Sequence, residues 1–270
     1  MAKSFWWSDF TSRNFDNLDP DDVVAVLPIA ATEQHGPHLP VATDHAIMAG
    51  MLETVFPLMP AGIDMRVLPI QSVGKSNEHI RSPGTLTISA TTLIDLWCDL
   101  GASVARAGVR KLVIVNSHGG NEEVMGIVAR ELRVRHDMMV AKTSWMRFGL
   151  PDGLYGDYER KYGIHGGDVE TSLMLHFTPD TVQMDKAEDF TSRVAAAQQQ
   201  FAHIAHTGPN AFAWIAQDVN PSGAIGEAAQ ATAEKGRLTA EHQAKGFVEL
   251  IGDMASARLA DWIVPAGPKP

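Results

Sequence analysis

Lys111-Leu-Val-Ile-Val-Asn116 runs directly into Ser117-His118-Gly-Gly-Asn121. A run this short and this uniformly apolar, closed by a polar turn with two glycines, reads as a strand buried on both faces. Residues 121–135 then read as a helix. Upstream, Val23-Val-Ala-Val-Leu-Pro-Ile29 is a second apolar run of strand length, and Arg66-Val-Leu-Pro-Ile-Gln71 is a shorter, weaker one. Between the weaker run and Lys111, the residues Leu93, Trp97, Leu100 and Val104 recur at helical spacing behind Thr92 and Asp95, and the pattern closes near Gly108. Residues 138–142 read as a further strand and 171–177 as the body of a helix. Apolar strands alternating with helices predict an α/β fold, a three-layer α/β/α sandwich around a mostly parallel sheet, because such strands must be covered on both faces.

Beyond these elements, residues 148–164 carry Pro151, glycines and aromatics in an order that predicts a loop over one sheet edge. Residues 217–226 are again turn-rich, and 227–263 read as helix interrupted by glycines. With no internal linker, residues 1–264 are expected to form one domain and 265–270 a flexible tail.

The chain has 270 residues, 45% of them hydrophobic and 20% charged, which is ordinary for a globular protein. At this length folding buries roughly three quarters of the unfolded surface, so a metal found here need not be a structural staple. A net charge of −10 argues against nucleic-acid and anionic-membrane surfaces, which reward clustered Lys and Arg. The single cysteine, Cys98, excludes an internal disulfide and any multi-thiolate metal site. Residues 1–10 lack the apolar stretch of a secretory signal, and no run approaches the ~20 apolar residues of a membrane span, so a cytoplasmic location is expected.

The chemistry concentrates in three places. Glu33-Gln-His35-Gly-Pro-His38 follows the first strand, and residues i and i+2 of extended chain point the same way, so Glu33 and His35 face one point. Asp44 returns across a loop closed by Pro37 and Pro40. His118 follows the apolar strand Lys111–Asn116, and ligands in open α/β sheets sit beyond the carboxyl ends of strands. His165-Gly-Gly-Asp168-Val-Glu170 leads into a helix that carries Glu170. Carboxylates mixed with imidazoles suit Zn²⁺ or Mn²⁺, and a carboxylate bridges two ions in dinuclear hydrolytic sites. Glu33, His35, Asp44, His118 and Glu170 make up such a set.

Other motifs fail on residues. Gly74-Lys-Ser76 resembles the end of a P-loop, but Pro69 stands where its first glycine belongs. There is no Gly-x-Ser-x-Gly elbow at this stretch, no dinucleotide fingerprint after a strand and no His-Glu-x-x-His.

Leu27-Pro-Ile-Ala-Ala-Thr-Glu-Gln-His-Gly-Pro-His38 with Asp44, Ser76-Asn-Glu-His79 with Pro83-Gly-Thr85, Asn116-Ser-His-Gly-Gly-Asn121 and His165-Gly-Gly-Asp-Val-Glu-Thr-Ser172 occur in one order along the chain. Together they resemble the creatininase (creatinine amidohydrolase) family, with a weaker echo at Ala233-Glu-Lys-Gly236. The resemblance implies two divalent metal ions per subunit, Zn²⁺ first and Mn²⁺ or Fe²⁺ as alternatives, hydrolysis of an amide C–N bond by a metal-activated bridging water, and a homohexamer. It makes Glu33 and His118 ligands of one ion, gives His35 to the other and lets Asp44 bridge. Creatininase proper has a ligand Glu where this chain has Gly120, which makes Glu170 the candidate replacement and hence both ligand and catalytic residue. Lys161-Tyr-Gly-Ile164 replaces the Trp-Asp and Glu that precede the third-motif histidine of creatininase.

His165, on its glycine-flanked turn, is the candidate for proton transfer to the leaving nitrogen. Trp145 is similar to a substrate-stacking tryptophan of the family, and Ser76 to a pocket hydroxyl. The expected enzyme is therefore a hydrolase of carbon–nitrogen bonds other than peptide bonds, acting on a cyclic amide or another small polar amide. A formamide deformylase or small-peptide peptidase, both known in the family, is the alternative, as is a non-catalytic metal-binding assembly subunit.

Overall fold

The computed structural model describes residues 4–198, 200–208 and 210–265. Four strands, β1 (Val23–Ile29), β2 (Asp64–Val67), β3 (Lys111–Asn116) and β4 (Met139–Ser144), form one sheet in the order β2-β1-β3-β4. Every pairing in it is parallel. The helices are α1 (Thr43–Val55), α2 (Ala90–Arg106), α3 (Glu122–His136), α4 (Asp157–Tyr162), α5 (Asp168–Phe177), α6 (Arg193–Gln198), α7 (Ala216–Val219), α8 (Ala233–Ser256) and α9 (Leu259–Trp262). A two-residue antiparallel pair joins β5 (Asp189–Phe190) to β6 (Gly226–Glu227).

Strand side chains alternate between two apolar layers. Val24, Val26, Val113 and Val115 pack with Met48, Met51, Leu173, Ala244 and Phe247 of α1, α5 and α8. Val23, Ala25, Leu27, Ile29, Leu112 and Ile114 pack with Leu93, Trp97, Val124, Val128 and Leu132 of α2 and α3. Both faces of the sheet are covered, which is why its strands read as unbroken apolar runs and why the fold is the expected three-layer sandwich. Cys98 is buried in the α2 and α3 layer.

Several boundaries differ from the sequence expectation. The weaker strand lies at Asp64–Val67 instead of 66–71, because Pro69 has no N–H to continue the ladder, though Gln71 still bonds Pro28 and Ala30. The N-cap of α2 is Ser89, whose Oγ accepts the Thr92 amide. Residues 148–164, expected as loop, contain α4, and the long C-terminal helix is confined to α8, with α9 after a break. The sequence reading marks no helix over α1; there Ile47, Met48, Met51, Leu52 and Val55 make the buried face, and Gly50 admits the Phe177 ring of α5. The expected tail lies, Pro265 apart, outside the described residues.

The sheet has one reversal of winding. From β1 the chain moves through α1 on one face to β2, and from β3 it moves through α3 on the opposite face to β4. The crevice where ligands bind in such sheets therefore opens beyond the adjacent carboxyl ends of β1 and β3, where Ile29 pairs with Asn116.

Candidate metal centre

The candidate ligands converge in that crevice. Glu33 and His35 continue from β1, Asp44 sits in the first turn of α1, His118 follows β3, and Glu170 occupies the first turn of α5. Glu33, His35, Asp44 and His118 are almost wholly buried, while the Glu170 side chain keeps 24% exposure. The two oxygens of Asp44 face different imidazoles, Oδ1 lying 3.4 Å from His35 Nε2 and Oδ2 3.6 Å from His118 Nδ1. Glu33 Oε1 lies 3.0 Å from His118 Nδ1, and Glu170 Oε2 3.8 Å from His35 Nε2. Ligand atoms of Glu33, His35 and Asp44, and likewise of His35, His165 and Glu170, lie within 4.8 Å of one another.

Backbone carbonyls decide which imidazole nitrogens face inward. His35 Nδ1 donates to the Glu33 carbonyl at 3.0 Å, His118 Nε2 to the Lys75 carbonyl at 2.9 Å and His165 Nε2 to the Gln34 carbonyl at 2.6 Å. A carbonyl only accepts, so the other nitrogen of each neutral ring presents a lone pair toward the carboxylates. His165 Nδ1 lies 3.6 Å from Glu33 Oε1. His79 is turned the other way. The Gln34 amide donates to its Nδ1 at 2.7 Å while Gln34 Oε1 accepts from Gly36 N–H, so His79 Nε2 carries the proton and points at Glu33 Oε1, 3.5 Å away. The rings of His35, His165 and His79 form a stack with centroids 4.0 and 4.1 Å apart.

This donor set fits a pair of cations. Both Glu33 oxygens, Asp44 Oδ2 and His35 Nε2 are buried with no hydrogen-bond partner, although orphaned buried polar atoms are costly and rare. The electrostatics agree. Burial opposes ionisation of Glu33, but His118, His79 and His35 outweigh it and hold the carboxyl at about 2. Burial also works against charge on His35, yet Asp44, Glu170 and Glu33 push it up to about 10; His118 is raised in the same way, chiefly by Glu33. Burial raises Asp44, and it takes Glu170 up to about 7 beside Asp44. A cation among these carboxylates would take the place of the protons they otherwise draw onto the imidazoles. His165, buried among His35 and His79, is held well below the ordinary imidazole range.

The supporting residues are polar and interlocked. Asn116 accepts the His118 amide at 3.0 Å, and Asn121 bonds the Ala30 carbonyl and the Lys75 amide, which ties three strand ends together. Gly166 is in the left-handed region at φ 62°, where a Cβ would lie 3.1 Å from the His35 carbonyl, and its N–H donates to Glu170 Oε2 at 2.5 Å. On α4, Glu159 is buried, with Oε2 accepting the Glu227 amide at 2.7 Å and Oε1 the Val169 amide at 3.2 Å. It ties β6 to the start of α5.

Ser76 is also at the centre, buried with its Oγ 3.5 Å from His118 Nε2. Trp145 is placed elsewhere: its ring packs on Phe247 inside the α1, α5 and α8 layer. The reading of single residues did not assign roles to Gln34, Glu78, His79, Asn116 and Asn121. Three of them flank candidate ligands, Gln34 between Glu33 and His35 and Asn116 and Asn121 at the two ends of the turn that carries His118, and that adjacency is the available signal.

The chain matches the family described as Creatininase, creatinine amidohydrolase, over residues 8–251. It belongs to the creatininase family. It is 34% identical over 178 residues to the mycofactocin precursor peptide peptidase of Mycolicibacterium smegmatis, a match covering 65% of each chain. It is 29% identical to the creatinine amidohydrolase of Pseudomonas putida, over 93% of this chain and 97% of that one. Solved creatininases agree in fold. An E122Q variant in a Zn-Zn form and the same variant complexed with creatine each show 26% identity and a TM-score of 0.74, covering 94% of this chain and all of theirs. A creatininase in a Mn form follows at 25% identity and a TM-score of 0.72, over 94% of this chain and all of that one. The protein is an enzyme, a creatininase-family hydrolase acting on carbon–nitrogen bonds, with clusters of carboxylates and imidazoles that could hold divalent metal.

Proposed function

We propose that this enzyme hydrolyses the C–N bond of a small polar amide at a dinuclear centre in which Glu33, His118 and Asp44 hold one ion and His35, Asp44 and Glu170 the other. The observation that carries the reading is the single Asp44 carboxylate whose two oxygens face two different imidazoles. When bound, two cations lower the pKa of a shared water toward neutrality and polarise the amide carbonyl, Zn²⁺ being the first choice and Mn²⁺ or Fe²⁺ the alternatives.

The chain's own residues handle orientation and the proton. His79 turns Nε2 toward Glu33 Oε1 at 3.5 Å and so favours the carboxylate in the position that faces His118. His165 keeps its Nε2 proton on the Gln34 carbonyl, so Nδ1 is the atom that accepts a proton and passes it to the leaving nitrogen. Burial keeps this imidazole neutral, and a proton that it takes up is readily passed on. Ser76 Oγ, beside His118, is the hydroxyl available to a substrate group. For Trp145 to stack on a substrate, its ring would have to leave Phe247.

A short peptide is the second reading of the substrate, favoured by the likeness to mycofactocin precursor peptide peptidases. We place the enzyme in the cytoplasm as a homohexamer, with residues 1–264 as one domain; no helix among the described residues is long and apolar enough to cross a membrane. Light scattering should return six times the 29.2 kDa chain.

The test is Asp44→Ala. Metal analysis of the full chain should give two ions per subunit in the wild type and close to none in this variant, whereas Glu33→Ala and His35→Ala should each chiefly loosen one. Hydrolysis of a panel of lactams, formamides and dipeptides should vanish with the metal. An Asp44→Ala protein that keeps two ions and wild-type turnover would overturn the dinuclear assignment.

A further inference from the structure

Glu78 lies outside the ligand set, yet it is packed into it. It stands in a single 3₁₀ turn, residues Asn77–His79, just beyond the sheet, with its side chain 17% exposed. Its Oε1 lies 3.4 Å from His118 Nε2, the nitrogen opposite the one that faces Glu33 and Asp44. The Lys75 carbonyl, 2.9 Å away, shares the same N–H.

The turn after β3 is shaped around this carboxylate. A Cβ on Gly120 would come within 2.2 Å of Glu78 Oε1, 2.3 Å of the Lys75 carbonyl oxygen and 2.5 Å of His118 Nε2. Residue 120 therefore has to be glycine so that Glu78 and Lys75 can reach the far side of the His118 ring. At Gly119, the neighbouring position, an added Cβ would meet nothing within 4 Å. The close approach is specific to the position that Glu78 covers.

We infer that Glu78 is a positioning residue: its carboxylate, seated on the bare backbone of Gly120, holds the His118 Nε2 proton and so aims His118 Nδ1 at the cation shared with Glu33 and Asp44. The inference rests on the dinuclear reading above. A carboxylate behind a ligand imidazole fixes the ring's tautomer and orientation and raises its basicity, and removing such a partner costs 10–100-fold in metal affinity. Glu33, Glu78 and His118 also offer ligand atoms within 4.8 Å of one another, but Glu78 meets His118 at the nitrogen facing away from Glu33 and Asp44, which favours the positioning role over direct ligation.

The test titrates the metal-stripped full chain with Co²⁺ against a competing chelator and follows the visible absorption of the bound ion. Wild type should take up two equivalents. Glu78→Ala should weaken one of the two by 10–100-fold, while saturation still gives two equivalents with unchanged band intensities and the metal-free protein melts as wild type does. Glu78→Gln, whose amide oxygen still accepts the His118 N–H, should recover most of that affinity. If Glu78→Ala fails to fold, Glu78→Asp, which withdraws the carboxylate by one methylene, should show a smaller loss of the same kind. Uptake by the alanine or aspartate variant at wild-type affinity overturns the inference alone. Saturation at one equivalent with altered bands overturns it in favour of a ligand role. A wild-type chain that binds no Co²⁺ overturns the dinuclear reading and this inference with it.

Discussion

Gly236, in the first turn of α8, gives a sharp test of how the scaffold supports the centre. A Cβ there would lie 1.9 Å from the Ser172 carbonyl oxygen, 2.5 Å from its carbon and 2.9 Å from His176 Cβ. The obstacle is α5 backbone, which cannot rotate away, so relief to an ordinary contact requires α5 and α8 to separate locally by more than ~1 Å. Overpacking of this kind costs typically ~1–3 kcal/mol, and a backbone obstacle belongs at the upper end. The helix-propensity gain of alanine over glycine returns about 1 kcal/mol. Gly236→Ala should therefore lose about 2 kcal/mol net. Gly252→Ala, on the same helix with nothing within 4 Å of the new methyl, should gain up to about 1 kcal/mol. Urea unfolding of both variants against wild type reads the difference. Because Ser172 is two residues from Glu170, the same displacement should weaken cation binding in the Gly236 variant and leave the Gly252 variant unaffected. Equal stabilisation of the two would refute the close-approach argument. The neighbouring Lys235, whose ammonium pairs with buried Asp168, explains why the preceding residues also matter.

Three further outcomes are expected. Glu170→Gln should release one of two ions and cut turnover by several orders of magnitude, where a mere helix-end role would shift stability by only ~0.3–1 kcal/mol; full metal occupancy with intact turnover would exclude the ligand role. Burial pushes Glu159 up to about 7 from 4.5, so the folded state binds its proton more tightly than the unfolded state: this contribution is fully present below about pH 4.5 and lost as pH rises through about 7, about 3 kcal/mol in all. Wild-type stability minus that of the non-titrating Glu159→Gln should fall across that window, and a flat difference would defeat the assignment. Lys111 is fully buried at the start of β3 and donates to the Asp21 carbonyl at 2.7 Å and the Ala255 carbonyl at 3.0 Å; Lys111→Met should cost ~2–4 kcal/mol by stranding both acceptors, and a melting temperature equal to wild type would contradict this.

What the sequence made legible was what is local. β1 and β3 are buried on both faces, so their apolar runs can be read directly, and the candidate ligands Glu33, His35 and His118 follow at once where each strand ends. Asp44 was found as a residue, but α1 beneath it was not, because its apolar face starts only at Ile47 after a proline-bounded turn and is interrupted by Gly50, which makes sense only with Phe177 against it. The shortened β2 illustrates the same limit, since Leu68 and Gln71 still bond the sheet on either side of Pro69. Glu78 and His79 gave no individual sign of their work, because which nitrogen of His118 or which oxygen of Glu33 a residue meets is set by chain that arrives from another strand. Trp145 stands as the reverse case: a position after β4 said nothing about which way the ring turns, and the ring turned into the core.

The pairing of Ile29 with Asn116 bears on how the enzyme matures. It joins segments far apart in the chain, with α1, β2 and α2 between them, and the candidate ligands on either side are not brought together until that long loop has closed. Loop closure over such a span is slow compared with helix formation. Cation capture during refolding should then coincide with the last sheet-forming phase, and added metal should slow unfolding without hastening the early collapse.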